Sequence, residues 1–419
     1  MRAGPARAGR LLAALAALNV LSYVDRQLVA ALAPLLMADL GLSRADIGLL
    51  VGASFVVVFA FGTLVVGTLA DRWSRPRLIA GGLGAWSAAT ALTGAAVGFP
   101  SLAACRALVG VGEATLPATA LSMLGDRVPP TRLGVANGVF YAGVPVGFAM
   151  SFALAGWIGP WLGWRACFFL LGVLGLGGVL LASRMADPPR RGVATSGPAA
   201  GPGAAAGDLL RALVARPAIG FVILGGTLIV YASASSQHAI IWLVQERGFP
   251  FGRAAFLSAV VIGTAGLAGS VAIGLVTDRA RRRHPGARLV ALAALGSIGL
   301  AAAALFYRLP PASVFFFPCW WLAQAWLLGW YGPLVAAIDE MSPAGLRATV
   351  IGFGLLIVNV LGVATGPYVT GLVGDRVSLT VGLSWSLVPA AAGLVVLALV
   401  GVAQRRRPPA RVRKDLIPC

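Results

Sequence analysis

GTLADRWSR at Gly67–Arg75 returns as GLVTDRARR at Gly274–Arg282, so the pattern Gly-x-x-x-Asp-Arg-x-x-Arg occurs twice. Each copy closes an apolar stretch long enough, at roughly 20 residues or more, to cross a bilayer as a helix. The same loop at matching places in two halves marks an internal repeat. Weaker echoes support it. Asp126…Arg132 is answered by Asp339…Arg347, and Gly143-x-Pro145-x-Gly147 loosely by Gly362-x-x-x-Gly366-Pro367. Between the halves, residues 185–206 are rich in Pro, Gly, Ala and Arg without apolar periodicity, and read as a flexible linker.

The composition agrees. The 419 residues are 58% hydrophobic and 11% charged, with mean hydropathy +0.87. A soluble globular domain is excluded, and the pattern is not the ten-residue alternation of a membrane barrel. The expected fold is an all-α membrane protein with twelve transmembrane helices in two six-helix bundles. The spans fall at roughly 11–37, 46–70, 77–97, 99–124, 132–158, 163–183, 216–244, 252–277, 288–307, 312–338, 346–372 and 378–403. The bundles are then 1–183 and 216–404, joined by a linker loop at 184–215 and followed by a basic tail at 405–419.

A net charge of +19 would suggest nucleic acid in a soluble protein. Here the arginines gather on alternate loops, which places both termini in the cytoplasm of a cell inner membrane and accounts for the basicity without nucleic acid. Lys414 is the only lysine, so no nucleotide-binding lysine loop is available. No spacing suggests a metal site, a cofactor, a disulfide framework or a hydrolytic triad. The expectation is a protein that is not an enzyme, acting as a monomer.

Four charges stand where a bilayer tolerates few. Asp25 and Arg26 lie within the first span, Arg106 and Glu113 within the fourth. Each costs roughly 3 kcal/mol or more at a helix centre, and such groups persist where they face a wet cavity or one another. Arg106 and Glu113, seven residues apart, share a helix face, whereas neighbours Asp25 and Arg26 point in different directions. The arginines can hold an anion through their planar forks, and the carboxylates can exchange an arginine for a proton. Asp25 is the first choice for proton coupling, with Glu113 beside it, because adjacent Arg26 can alternate between carboxylate and substrate. Static ion pairs are the bland alternative, although desolvated pairs are a poor source of stability.

The repeated loop resembles that of the major facilitator superfamily, in which Gly67, Asp71, Arg72 and Arg75, with Asp278 and Arg279, would latch the cytoplasmic gate. A narrower resemblance, to the Spinster branch, runs over roughly residues 18–172. It rests on Asn19-x-x-x-Tyr23-x-Asp25-Arg26, Gly48-Leu49-Leu50-x-Gly52, Leu69-Ala70-Asp71-Arg72, Trp86-Ser87, Arg106-x-x-x-Gly110-x-Gly112-Glu113-Ala114 and Gly163-Trp164-Arg165. The resemblance implies transport of lysolipids or sphingoid phosphates, often with protons. Organic-anion and sugar-acid symporters carry a similar charged set and remain the alternative.

The second half holds no acid as deep as Asp25 or Glu113. Its polar and aromatic candidates for substrate contact are Tyr231, Gln237 and His238 in the seventh span, Trp330 in the tenth and Asn359 in the eleventh, alongside Asn19, Tyr23 and Tyr141 in the first half. One charged lobe and one apolar, aromatic lobe suit an amphipathic anion. The expectation is a proton-coupled secondary transporter of such an anion, working by alternating access among membrane lipids.

Overall fold

Apolar stretches of membrane length leave the backbone no water to bond with, so each must satisfy its own N–H and C=O groups. In the computed structural model, which describes residues 5–190, 202–284, 286–343 and 346–405, the chain does so with helices, and no strand occurs among the described residues. The N-terminal lobe contains α1 (Pro5–Ala31), α2 (Ala33–Leu40), α3 (Arg44–Val51), α4 (Ala53–Arg72), α5 (Arg75–Thr93), α6 (Phe99–Glu113), α7 (Thr115–Arg127), α8 (Pro130–Tyr141) and α9 (Gly143–Ser183). After α10 (Pro202–Ala215), the C-terminal lobe begins with α11 (Pro217–Ser235), a 3-10 turn (Ser236–His238), α12 (Ala239–Gln245) and α13 (Phe251–Arg281). It continues with α14 (Ala287–Arg308), α15 (Phe316–Gly329), α16 (Tyr331–Met341), α17 (Arg347–Ile357), a π-helical turn (Val358–Val363), α18 (Gly366–Arg376) and α19 (Leu379–Arg405).

Nine stretches among the described residues are long and apolar enough to cross a membrane. One of them, Thr131–Ser183, is a double pass. Gly143 and Gly147 lie against Val20 and Tyr23, Gly159 against Leu32 and Leu35, and Gly178 is back beside Leu18 and Leu21. The chain turns at Gly163, whose φ of 75° suits a residue without a Cβ. Beside the turn, Asp39 accepts from Trp164 Nε1 at 3.0 Å and pairs with Arg165. Those hydrogen bonds hold its carboxyl below the usual carboxylate range. With α5 and the α15–α16 pair added, the layout accommodates the twelve passes expected from the sequence.

The linker expectation needs one correction. Pro202–Ala215 is helical rather than loop. Leu209 and Leu213 on α10 pack against the C-terminal core, which gives the segment an apolar face to bury. Residues 191–201 lie outside the described residues.

The two lobes meet mainly at one end, the end opposite the start of α1, here called the far end. One buried apolar cluster is continuous across both lobes there, joining Leu28, Leu32, Phe152 and Trp164 to Ile241, Trp242, Ala255 and Phe306. The seam is made of backbone. A Cβ on Gly48 would meet the Pro367 carbonyl oxygen at 2.5 Å, and one on Gly371 the Arg44 carbonyl oxygen at 2.3 Å. The Asp375 carboxylate accepts from the N–H groups of Arg44 and Ala45 at 3.0 and 2.9 Å, capping the first turn of α3 from the other lobe. Arg44 in turn donates to Gly374 O and Gln245 Oε1. At the opposite, terminal end, Gly134 and Gly138 on α8 and Gly274 on α13 would meet nothing within 4 Å if given a Cβ. Among the described residues the lobes are joined at the far end, whereas these glycines at the terminal end face open space.

Removing Asp375 should loosen the seam. In a cysteine-free background carrying Ala45→Cys, Asp375→Ala should speed labelling by an impermeant thiol reagent from the far side about tenfold, since a hydrogen bond to a charged group contributes about 1.5 kcal/mol. Unchanged labelling would show that the cap does not hold the far end shut.

Candidate functional site

The helices are interrupted at the level where the ionisable residues lie. α6 gives way to α7 at Ala114, directly after Glu113, and α8 to α9 at Ala142, directly after Tyr141. α15 breaks into α16 at Trp330, and the π-helical turn holds Asn359. Irregular backbone at membrane depth is tolerated where it is buried in protein or lines a wet cavity, and π-turns recur at functional sites.

Arg26 on α1 reaches Glu113 on α6. Its Nη2 lies 2.7 Å and its Nε 3.2 Å from Glu113 Oε2. Ser22, one turn before Arg26, donates to the same oxygen at 2.9 Å. Glu113 is fully buried, whereas the Arg26 side chain keeps 21% of its surface exposed. Glu113 Oε1 and Arg106 Nε are buried with no hydrogen-bond partner among the described residues. Arg106 Nη2 donates to the Arg26 carbonyl at 3.3 Å. Asp25 points the other way, into the lobe, and accepts from the Thr90 hydroxyl on α5.

The expectation paired Arg26 with its neighbour Asp25; in this geometry the two side chains diverge. The carboxylate partner of Arg26 is Glu113. The helical offset between residues 25 and 26 sends one side chain toward α5 and the other toward α6. Asp25, Glu113, Arg26 and Arg106 form one cluster whose charges sum to zero when all are ionised.

Aromatic rings surround the cluster. The Arg26 guanidinium carbon lies 4.7 Å from the Tyr23 ring centroid, 4.8 Å from Phe55 and 4.5 Å from Phe59. Arg106 stands 4.7 Å from Phe55. From the other lobe Tyr331 comes within electrostatic reach of Arg26, Tyr23 and Tyr141, and its hydroxyl faces the Asn359 side chain. Tyr141 and Tyr331 are both exposed. The space between the lobes is therefore bounded by Arg26, Tyr23 and Tyr141 on one side and by Tyr331 and Asn359 on the other.

Three of the expected substrate contacts lie elsewhere. Asn19 is buried, and its Nδ2 donates to Phe140 O at 2.7 Å, tying α1 to α8. Trp330 is buried and donates Nε1 to Ser233 Oγ at 2.9 Å, so its neighbour Tyr331 takes the position facing the cavity. His238 is buried in the far-end seam with Nε2 3.0 Å from the Arg44 carbonyl oxygen. Tyr231 and Gln237 are half-buried, and no described contact joins them to the charged cluster.

The gate residues divide as well. Arg75 is buried within its own lobe, with Nη1 on Asp126 at 2.5 Å and Nε on Asp187 at 2.8 Å, and it clasps the ends of three helical passes. Gly67 has open space around it, and Arg72 and Arg279 are exposed. Asp278 pairs with Arg288 at 2.9 Å, and Glu340 with Arg281 and Arg288. The Asp71 side chain lies outside the described residues. Among the described residues these ion pairs stay within one lobe. Phe55, Phe59, Ser22 and Thr90 are not among the residues the sequence singles out. An i, i+4 aromatic pair on α4 facing an intramembrane arginine was the available signal.

Comparison with known proteins agrees with this architecture. The family model of the Major Facilitator Superfamily matches residues 15–367. An MFS-type efflux pump of Mycolicibacterium smegmatis is 29% identical, covering 99% of this chain and 96% of that protein. A probable sphingolipid transporter, spinster homolog 1 of Arabidopsis thaliana, is 28% identical over 39% of this chain and 36% of its own length. Among solved structures, a bacterial homologue of the human lysosomal transporter Spinster, in an inward-facing and unoccupied conformation, superposes with a TM-score of 0.84 at 21% identity. That likeness covers 97% of this chain and 100% of the other, and it shows the fold.

The buried pair makes a direct prediction. Glu113→Ala leaves Arg26 without its carboxylate and should cost about 3 kcal/mol of unfolding free energy. Adding Arg26→Met should recover most of that loss, measured by unfolding of the purified protein in detergent. If the double variant is as unstable as the sum of the singles, the pair is not coupled.

Proposed function

Because this chain belongs to the Major Facilitator Superfamily, we propose that it is a proton-coupled secondary transporter of an amphipathic anion, a lysolipid or sphingoid phosphate, working by alternating access. The observation that carries this reading is the half-exposed Arg26 facing the space between the lobes while bound to a fully buried Glu113. An anion arriving at Arg26 competes with Glu113 for the same fork. The cluster, neutral by itself, would then hold excess negative charge in a low-dielectric site, which is costly. A proton taken up on Glu113 or Asp25 offsets part of that excess. Both acids lie in one cluster, so the proton is assigned to the cluster rather than to one residue.

The lobes favour an amphipathic cargo. The charged head group meets Arg26, with Arg106 behind it, and the chain lies against the apolar, aromatic C-terminal lobe. The Arabidopsis relative, named a probable sphingolipid transporter, supports the same class. The arginine-rich terminal end is assigned to the cytoplasm of a cell inner membrane. Closing that end would bring Asp71 and Arg72 together with the opposite lobe. Opening the far end would require the Asp375 cap on α3 to part.

The test is uptake of a radiolabelled lysophosphatidate by protein in proteoliposomes across a range of imposed pH gradients. Asp25→Asn combined with Glu113→Gln should abolish the response to the gradient while leaving exchange counterflow. Arg26→Lys should leave transport well below the parent, because a point charge does not replace a planar fork. A double neutral variant that follows the gradient like the parent would remove the proton linkage. Accumulation of a hexuronate instead of the lipid would replace the cargo and leave the mechanism standing.

A further inference from the structure

We propose that Phe55 and Phe59 are positioning residues for substrate recognition: their rings fix the plane of the Arg26 guanidinium and so decide where the anionic group docks. The inference rests on the transport reading above and adds residues that it does not use.

Phe55 and Phe59 stand four residues apart on α4, so they share one helix face. Their rings are stacked with centroids 5.5 Å apart. Arg26 lies over both, 4.8 and 4.5 Å from the centroids, well inside the roughly 6 Å reach of a cation–π contact. With Tyr23 at 4.7 Å, three rings border one guanidinium.

The geometry has a chemical consequence. Rings packed around a planar cation limit how it can turn, and its N–H donors lie in its plane. In the empty protein those donors serve Glu113 through Nε and Nη2. When an anion displaces Glu113, the carboxylate contact is lost but the rings remain. The guanidinium need not reorient in a dry site, and the incoming oxygens find the fork already aimed. Phe55 also borders Arg106 at 4.7 Å, so one ring touches both arginines. That arrangement favours a head group with several acidic oxygens, such as a phosphate monoester, over a single carboxylate.

Phe55 is buried in the core and its loss could impair folding, whereas Phe59 is half-buried and is the cleaner probe. The experiment compares Phe59→Leu and Phe59→Tyr in proteoliposomes with radiolabelled lysophosphatidate. Phe59→Leu should raise the half-saturating concentration about fivefold with little change in maximal rate, because one partly desolvated cation–π contact contributes that much. Phe59→Tyr, which keeps the ring, should match the parent. Unchanged affinity in Phe59→Leu, or equal damage from Tyr, overturns the proposal.

If the parent does not carry lysophosphatidate, the cargo reading fails and the positioning role is tested without substrate. Phe59→Leu should then lower the unfolding midpoint in the parent background and not in Arg26→Met. An equal loss in both backgrounds means that the ring only packs.

Discussion

A charge taken out of water must be matched where it stands, and the contact between Arg26 and Glu113 is where this molecule meets that requirement. Both partners sit within apolar helices of membrane length. Glu113 has no access to solvent, so its charge depends on Arg26 and Ser22 for company. The pair joins α1 to α6, and Thr90 joins α1 to α5 through Asp25. The N-terminal lobe is thus organised around one buried ion pair and its neighbours. Buried ion pairs contribute little net stability, so stability alone is a weak reason for this one.

The interrupted helices follow from the same need. A continuous helix offers a cavity only side chains, whereas a broken one can redirect them. Glu113, Tyr141, Tyr331 and Asn359 each sit at or beside a break. The breaks come from both lobes, so the space between them meets interrupted backbone on either side. Gly52 separates α3 from α4 and lies against the carbonyl oxygens of Val363 and Ala364, carrying the chain past the π-helical turn of the other lobe.

The repeat of Gly67–Arg75 at Gly274–Arg282 made the two-lobe plan readable, because topology leaves its mark in loop composition. Intramembrane charge made the four ionisable residues readable, because a bilayer penalises them wherever they stand. Pairing was harder to read. Residues 25 and 26 are adjacent in sequence, yet Glu113, 87 positions away, takes the arginine. The choice between Trp330 and Tyr331 turned on a helix break that no local pattern marks. Asn19 and His238 were readable as polar, but a polar side chain can be satisfied by a carbonyl within the fold as easily as by a substrate. Both found carbonyls, at Phe140 and Arg44. Arg75 shared a motif with exposed neighbours, and only packing revealed that it is buried. The helix α10 escaped notice because a Pro-, Gly- and Ala-rich segment has no strong pattern until the lobe beside it supplies a surface.

The far-end seam has an evolutionary consequence. Asp375 recognises two peptide N–H groups, Arg44 reaches a peptide carbonyl, and His238 meets the carbonyl of Arg44. Main-chain partners are supplied by any residue except, for the donors, proline. Substitution at Ala45 or Gly374 therefore leaves the recognised atoms in place so long as bulk is avoided. A closure of this kind can be inherited while the chemistry lining the cavity turns over. One scaffold can then drift toward new cargoes without having to reinvent the way it shuts.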